Sequence, residues 1–324
     1  MTLPADAVGA DRGDPAFRAD VLAGLAQPQK AVPARWLYDR AGSELFEAIT
    51  ALPEYYPTRA EIGLLQAHAA EAAALAGPGR AVVEFGSGSS AKTPLLLSRA
   101  APAAYVPIDI SGDFLRQSAD ALAARFPGLP IYPVEADFMR PVSLPEAVAG
   151  LPKLGFFPGS TIGNMVPATA VDLLRRMAGV LGTGAMLLIG MDRVKGEDVL
   201  VPAYDDAAGV TAAFNRNLLD RINRELDGDI PADAFVHEAR WVDPFARIEM
   251  HLRAARAVAF SVAGRRFAMA EGETIHTENS HKYDARGARL LLLAGGWTPL
   301  AEWTDPAGLF ALVLARAEPE RSAP

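Results

Sequence analysis

Cysteine is absent from the 324-residue chain. That excludes disulfides, thiolate zinc centres and cysteine nucleophiles together. Basic charge is also scarce: 31 Lys and Arg stand against 39 Asp and Glu, a formal net charge of -8. A nucleic-acid binder needs a basic surface to neutralise phosphates, so nucleic acid is not expected as a partner. The same field suits an anionic membrane surface poorly. No uninterrupted apolar run approaches the ~18 residues of a spanning helix. The first residues, MTLPADAVGADRGDPAFRADV, are acidic and broken by Pro and Gly, without the basic start and apolar core of a secretory leader. A cytoplasmic protein is the expectation. There is no fixed-period repeat, which excludes solenoids. What remains is a globular profile, half hydrophobic and 22% charged, long enough for a sizeable core.

The spacing predicts a short helix over 40–51 (RAGSELFEAITA), a turn at LPEYYPT, and a helix over 59–76 that stops at Gly77-Pro78-Gly79. Then the pattern becomes strand, glycine loop, helix, strand. AVVEF (81–85), AYVPIDI (104–110), IYPVEAD (131–137), LGFFPGS (154–160) and GAMLLIGMD (184–192) read as strands. Helices fall between them, one from PLLLSRA, one from SGDFLRQSADALAARF with Ser111 as candidate cap, and one over 168–180. Apolar strands alternating with amphipathic helices imply parallel βαβ units in an open, doubly wound α/β sheet. From about 193 to 285 the rhythm breaks into a helical stretch (TAAFNRNLLDRINREL) and strands such as ARIEMHLRAARAVAFSVAG. The helix near ARGARLLLLAGG and the hairpin formed by WTPLAEWTD and GLFALVLARA then return to the first style. A second unit is thus inserted before the last pieces of the sheet domain, and the N-terminal 58 residues are expected to pack with it.

A glycine loop between strand and helix approaches anionic or polar cofactor groups closely and offers free N–H groups. Gly86-Ser87-Gly88-Ser89-Ser90-Ala91 fits the dinucleotide pattern, and Gly86 to Thr93 nearly fits a phosphate-binding loop, with Ala91 in place of its last glycine. Two features separate these readings from a third. Glu84 lies two residues before Gly86, where dinucleotide-binding strands carry an apolar residue; a carboxylate there suits a cofactor with a cationic amino acid end, such as S-adenosylmethionine. Acids also recur at the ends of the next two strands. Asp109 can accept both ribose hydroxyls, and Asp137 can accept from an adenine amine, whereas a nicotinamide dinucleotide would share only the ribose contact. The competing account makes each acid a turn or cap residue.

The strings WLYDRAGSELFEAIT, LPEYYPTRAEIGLL, EFGSGSSAKT, FPGSTIGNM, YDDAAGVTAAFNRNLLDRIN and TIHTENSHKYD resemble the histidine N-α-methyltransferases of ergothioneine biosynthesis. The likeness runs over residues 30 to 315, insertion included. It implies a class I S-adenosylmethionine methyltransferase with a Rossmann-like sheet and an inserted α+β substrate-binding domain. The methyltransferase domain would take residues 59–192 and 286–324, and the substrate-binding domain 1–58 and 193–285. The implied reaction trimethylates the α-amine of L-histidine to hercynine, with S-adenosylmethionine as methyl donor and no metal. By motif, Tyr56, Glu278 and Ser280 would hold the imidazole, Asn164 and Tyr204 the α-amino and carboxylate end, and Met250 would line the pocket. On the cofactor side the matching positions are Tyr38, Gly86, Lys92, Asp109, Asp137 and Phe138, beside Glu84 and Gly88 of the loop. Tyr38 and Asn164 are the expected catalytic contacts. A monomer is expected, since the insertion closes the pocket within one chain.

Methyl transfer to an amine is an in-line displacement governed by positioning and electrostatics, so neither cysteine nor metal is required. Imidazole needs a buried acceptor for a ring N–H and a partner for its other nitrogen. Glu278 and Ser280, two apart on an extended segment, share a face; the alternative is a solvated strand face. His276 and His281 are five apart, which fits no helical metal pair, and they read as non-ligands. Asn279 stands between the two imidazole contacts where an apolar residue is expected. A transferase for another small amine or amino acid, or a silent cofactor-binding protein, would use the same sheet domain.

Overall fold

The computed structural model describes residues 14–88 and 91–318, so Ser89 and Ser90 of the loop lie outside it, as do residues 1–13 and 319–324 of the expected domains. The chain forms two compact units. Among the described residues, one comprises 14–45, 208–239 and 250–278, and the other 46–88, 91–207, 240–249 and 279–318.

The second unit is built on a seven-stranded sheet. Its order is Trp297–Thr304, Phe310–Ala317, Met186–Asp192, Lys153–Phe157, Ala81–Phe85, Ala104–Asp109 and Val134–Glu135. The five strands from Met186–Asp192 to Val134–Glu135 are parallel. The C-terminal hairpin adds Phe310–Ala317 antiparallel to Met186–Asp192, and Trp297–Thr304 antiparallel at the edge. Every residue of AVVEF and of MLLIGMD is buried, the pattern of strands covered on both faces. Val83, Phe85, Val106 and Ile189 pack on one face with Leu173, Leu174 and Met177 of the helix Pro167–Leu181 and Leu292 of Ala285–Ala294. Val82, Phe156, Leu188 and Leu312 pack on the other with Leu64, Leu65 and Ala72 of Tyr56–Ala76 and Leu96 of Thr93–Ala100. This is the expected doubly wound α/β sheet.

Three local expectations are corrected. The helix expected from 59 begins at Tyr56, because Pro57 in its first turn needs no N–H partner. The third strand, expected over 131–137, is reduced to Val134–Glu135 with an isolated bridge at Ile131. Pro133 lies between them and lacks the N–H a continuous ladder would use. Ser111 sits at the N-cap of Gly112–Arg125 but makes no side-chain cap bond; its own N–H donates to Asp109 Oδ1 at 2.9 Å.

In the first unit the helices Pro15–Leu25 and Val210–Glu225 accompany a sheet made, in order, of Lys30–Ala31 and of residues 274–278, 250–254 and 235–239, and a hairpin of Val258–Val262 with Arg265–Met269. The motif WLYDR is fixed there. Trp36 Nε1 donates to Asp20 at 2.7 Å, and Asp39 accepts from Gly42 N and Asn217 Nδ2 at 2.8 Å and from Arg224 at 2.6 Å. Burial alone would push the Asp39 carboxyl up, but these donors hold it below its usual range.

Candidate active site

The five parallel strands end on one edge of the sheet. The order turns back between Ala81–Phe85 and Lys153–Phe157, the place where open α/β sheets leave a crevice. Gly86 follows the first of these strands with φ of +73°, and a Cβ there would lie 3.3 Å from the Phe138 ring. Phe138 stands edge-on to Phe157 at 5.8 Å. Gly88, at φ of +48°, donates its N–H to Asp109 Oδ2 at 2.9 Å. Asp137 Oδ1 accepts from Met139 N at 2.9 Å. Both acids therefore shape turns. A carboxylate has about four acceptor sites, so the hydrogen bonds that fold the loop do not exhaust Asp109. A glycine cradle closed by an aromatic ring, with carboxylates on two successive strand ends, fits a nucleoside cofactor with hydroxyl and amine donors.

Glu84 is turned into the layer beneath the loop. It is 1% exposed, and its Oε2 accepts from Thr93 Oγ1 at 2.7 Å and Tyr105 OH at 2.6 Å. Burial pushes its carboxyl up to about 7, against the pull of those two hydrogen bonds. Lys92 reaches Glu61, with Nζ 2.5 Å from Oε2. Glu61 is fully buried and also accepts from Gly159 N at 2.8 Å. Gly190, inside a strand, leaves room for it, since a Cβ there would collide with Glu61 Oε1. Glu84, through Thr93, and Lys92, through Glu61, thus both fix the N-terminal end of the helix Thr93–Ala100, one to the strand Ala81–Phe85 and the other to the helix Tyr56–Ala76.

A second cluster occupies the carboxyl end of Met186–Asp192. Asp192 is 1% exposed, and its backbone N–H donates to Ser160 Oγ at 2.9 Å. Tyr56 OH donates to the Asp192 carboxylate at 2.8 Å and accepts from Lys195 Nζ at 2.6 Å. Lys195 also donates to Asp192 Oδ1 at 2.6 Å and lies 4.3 Å from the Tyr56 ring centre. Lys282, 3% exposed, donates to Asp192 Oδ2 at 2.6 Å, Ser280 Oγ at 2.7 Å and Tyr204 OH at 2.8 Å. Tyr204 OH and Ser280 Oγ are themselves 2.8 Å apart. Burial and the Asp192 charge push the Tyr56 phenol far above its usual range. Burial brings the Lys195 ammonium down to about 8, with the Lys282 charge adding to the effect and Asp192 opposing it.

The structure therefore joins Tyr56, Tyr204 and Ser280 in one hydrogen-bonded group. Asn164 ends the 3₁₀ turn Thr161–Asn164, beside Gly163, whose carbonyl accepts from or faces His281 Nδ1 at 2.8 Å. Ser280 is 4% exposed, so at this position the strand face is not solvated. Tyr38, Met250 and Glu278 belong to the first unit. There Tyr38 packs edge-on to Phe214 at 5.4 Å, Met250 is 2% exposed, and its carbonyl accepts from Thr277 Oγ1 at 3.0 Å. His276 stacks on His251 at 4.7 Å.

Sequence reasoning missed Glu61, Asp192, Lys195 and Lys282. Asp192 ends a strand, the same signal that selected Asp109 and Asp137. Lys282 is two residues beyond Ser280, the same alternation that paired Ser280 with Glu278. Glu61 and Lys195 carried no comparable signal.

The sheet order and the glycine loop at its turning point define a doubly wound, nucleotide-cofactor-binding α/β protein. The profile of the family described as "Histidine-specific methyltransferase, SAM-dependent" matches residues 17–317, and the chain belongs to that family. A histidine N-alpha-methyltransferase of Mycolicibacterium smegmatis is 44% identical over 326 residues, covering 97% of this chain and 99% of that one. One from Mycobacterium tuberculosis is 43% identical, covering 96% and 98%. Ergothioneine biosynthesis protein 1 of Neurospora crassa is 31% identical over 89% of this chain and 33% of its own length.

Proposed function

We propose that this protein methylates the α-amine of L-histidine three times, giving hercynine, the first step towards ergothioneine. The observation that carries the reading is the 44% identity to a histidine N-alpha-methyltransferase along 97% of the chain, both units included. In this reading Gly86, Gly88, Asp109, Asp137 and Phe138 hold S-adenosylmethionine, with Tyr38 contributed by the N-terminal segment. When bound, that cofactor supplies an electrophilic methyl group on a sulfonium. Glu84 and Lys92, which also anchor the loop through Thr93, Tyr105 and Glu61, complete the cofactor side of the site. Tyr56, Tyr204, Ser280 and Glu278 orient the amino acid, Met250 lines its pocket, and Asn164 directs the α-amine. The substrate-binding role falls to 1–58 and 193–285, with Tyr56, Tyr204 and Ser280 set on the sheet unit. The chain works as a cytoplasmic monomer.

The residues' task is to place a neutral amine lone pair in line with the methyl group, within ~3–3.5 Å, and to shield it from water. The amine loses a proton first, because its pKa lies near ~8 in a free chain. The test is mass spectrometry after incubation with labelled S-adenosylmethionine and a panel of amino acids. A gain of three methyl groups on histidine alone is expected; transfer to none of the panel would overturn the reading.

A further inference from the structure

In the reading above, Asn164 and Ser280 contact opposite ends of the amino acid, and both belong to the sheet unit. They lie on separate stretches of chain, so the distance between them must be set by other groups. Hydrogen bonds close a frame around them. Asp192 N–H donates to Ser160 Oγ at 2.9 Å, Tyr283 N–H donates to the Asp192 carbonyl at 2.9 Å, and His281 Nδ1 meets the Gly163 carbonyl at 2.8 Å. A carbonyl only accepts, so the proton sits on Nδ1 and the ring donates.

The segment that follows Asn279 alternates as a strand does. Ser280 and Lys282 meet Tyr204 on one side. His281 and Tyr283 turn to the other, where Tyr283 OH comes within 3.4 Å of the Ile162 carbonyl. The 3₁₀ turn Thr161–Asn164 therefore rests against the back of the segment that presents Ser280. The approach is close. A Cβ on Gly163 would fall 2.7 Å from the His281 carbonyl oxygen and 3.2 Å from its nitrogen, a clash with backbone that no rotamer relieves. Gly163 is not in the left-handed region, so this contact is what requires a glycine there. His281 is 5% exposed and Gly163 is buried, so a carbonyl deprived of the ring would be left short of a donor.

We infer that His281 and Gly163 are positioning residues, which lock the turn bearing Asn164 onto the segment bearing Ser280 and so fix the spacing between the amine and imidazole contacts. This rests on the histidine reading above. Histidine separates its ring from its α-carbon by a single methylene, so a contact displaced by about 1 Å spoils the line of attack on the methyl group. His281 acts through Asn164, not on the substrate.

Steady-state methyl transfer to L-histidine, alongside calorimetry with S-adenosylhomocysteine, tests it. His281→Leu and Gly163→Ala should each lower kcat about 10-fold or more, while S-adenosylhomocysteine binding changes less than about 3-fold. His281→Asn, whose amide N–H can replace the ring N–H, should recover most of the loss. In an Asn164→Ala background, His281→Leu should cost less than about 2-fold more, because its effect passes through Asn164. A further loss of about 10-fold in that background, or an unchanged kcat in both single variants, would overturn the inference. If His281→Leu binds no S-adenosylhomocysteine because it does not fold, Gly163→Ala decides on the same criteria. Failure of the unaltered protein to methylate L-histidine would instead remove the functional reading itself.

Discussion

A carboxylic acid inside a strand buried on both faces is an unusual holding for a fold, and Glu84 shows what it costs. Its acceptor oxygen serves Thr93 and Tyr105, but burial raises its carboxyl from 4.5 to about 7. Between those values the folded protein keeps a proton that the unfolded chain has released. Stability therefore falls as pH rises through that window, and the whole penalty is present above 7. A shift of this size corresponds to roughly 3 kcal/mol. Glu84→Gln keeps an acceptor for both hydroxyls and has no charge to bury. In urea melts it should exceed the unaltered protein by about 2–3 kcal/mol at pH 8 and by under ~1 kcal/mol at pH 5. A difference independent of pH would refute burial as the cause. At this scale the sequence singled out Glu84 and Lys92 for the cofactor but gave no sign of the contacts they make with Thr93, Tyr105 and Glu61. A contact between residues 31 positions apart, such as Lys92 with Glu61, has no local periodicity to reveal it.

The elements were the most legible level, because buried parallel strands are continuous apolar runs and helices carry a 3.6-residue stripe. AVVEF and MLLIGMD lie within their expected spans, whereas IYPVEAD failed at Pro133, where one missing N–H outweighs an apolar pattern. Helix ends follow backbone chemistry in the same way. Tyr56–Ala76 and Pro167–Leu181 stop at Gly77 and Gly182, both at positive φ. Thr93–Ala100 instead stops at Ala101, held left-handed at φ of 40° and ψ of 59°. A Cβ in that conformation costs about 1 kcal/mol, and glycine avoids it. Ala101→Gly should raise stability by about 0.5–1 kcal/mol in thermal melts, with methyl transfer unchanged. A loss of stability would mean that the greater freedom of glycine in the unfolded chain dominates.

For the whole molecule, the sheet gathers the proposed cofactor residues on a single edge. Gly86 and Gly88, Asp109, and Asp137 with Phe138 follow three different strands, and each strand delivers them at its carboxyl end. The amino ends of these strands and of their neighbour Lys153–Phe157, near residues 80, 103, 133 and 152, carry none of them. A ligand that binds only the folded state at ~100 times its Kd stabilises that state by ~2.7 kcal/mol. Local opening at the contacts is suppressed most, because those amides must part from the ligand before they exchange. Hydrogen exchange with and without S-adenosylhomocysteine should therefore slow at residues 86–88, 109–112 and 136–139, and change little at 78–81, 101–104 and 151–153. The Gly88 amide, already bonded to Asp109, should gain through immobilisation of its partner as well as of itself. Protection concentrated at the amino ends would place the cofactor on the wrong side of the sheet and remove Asp109 and Asp137 from its site.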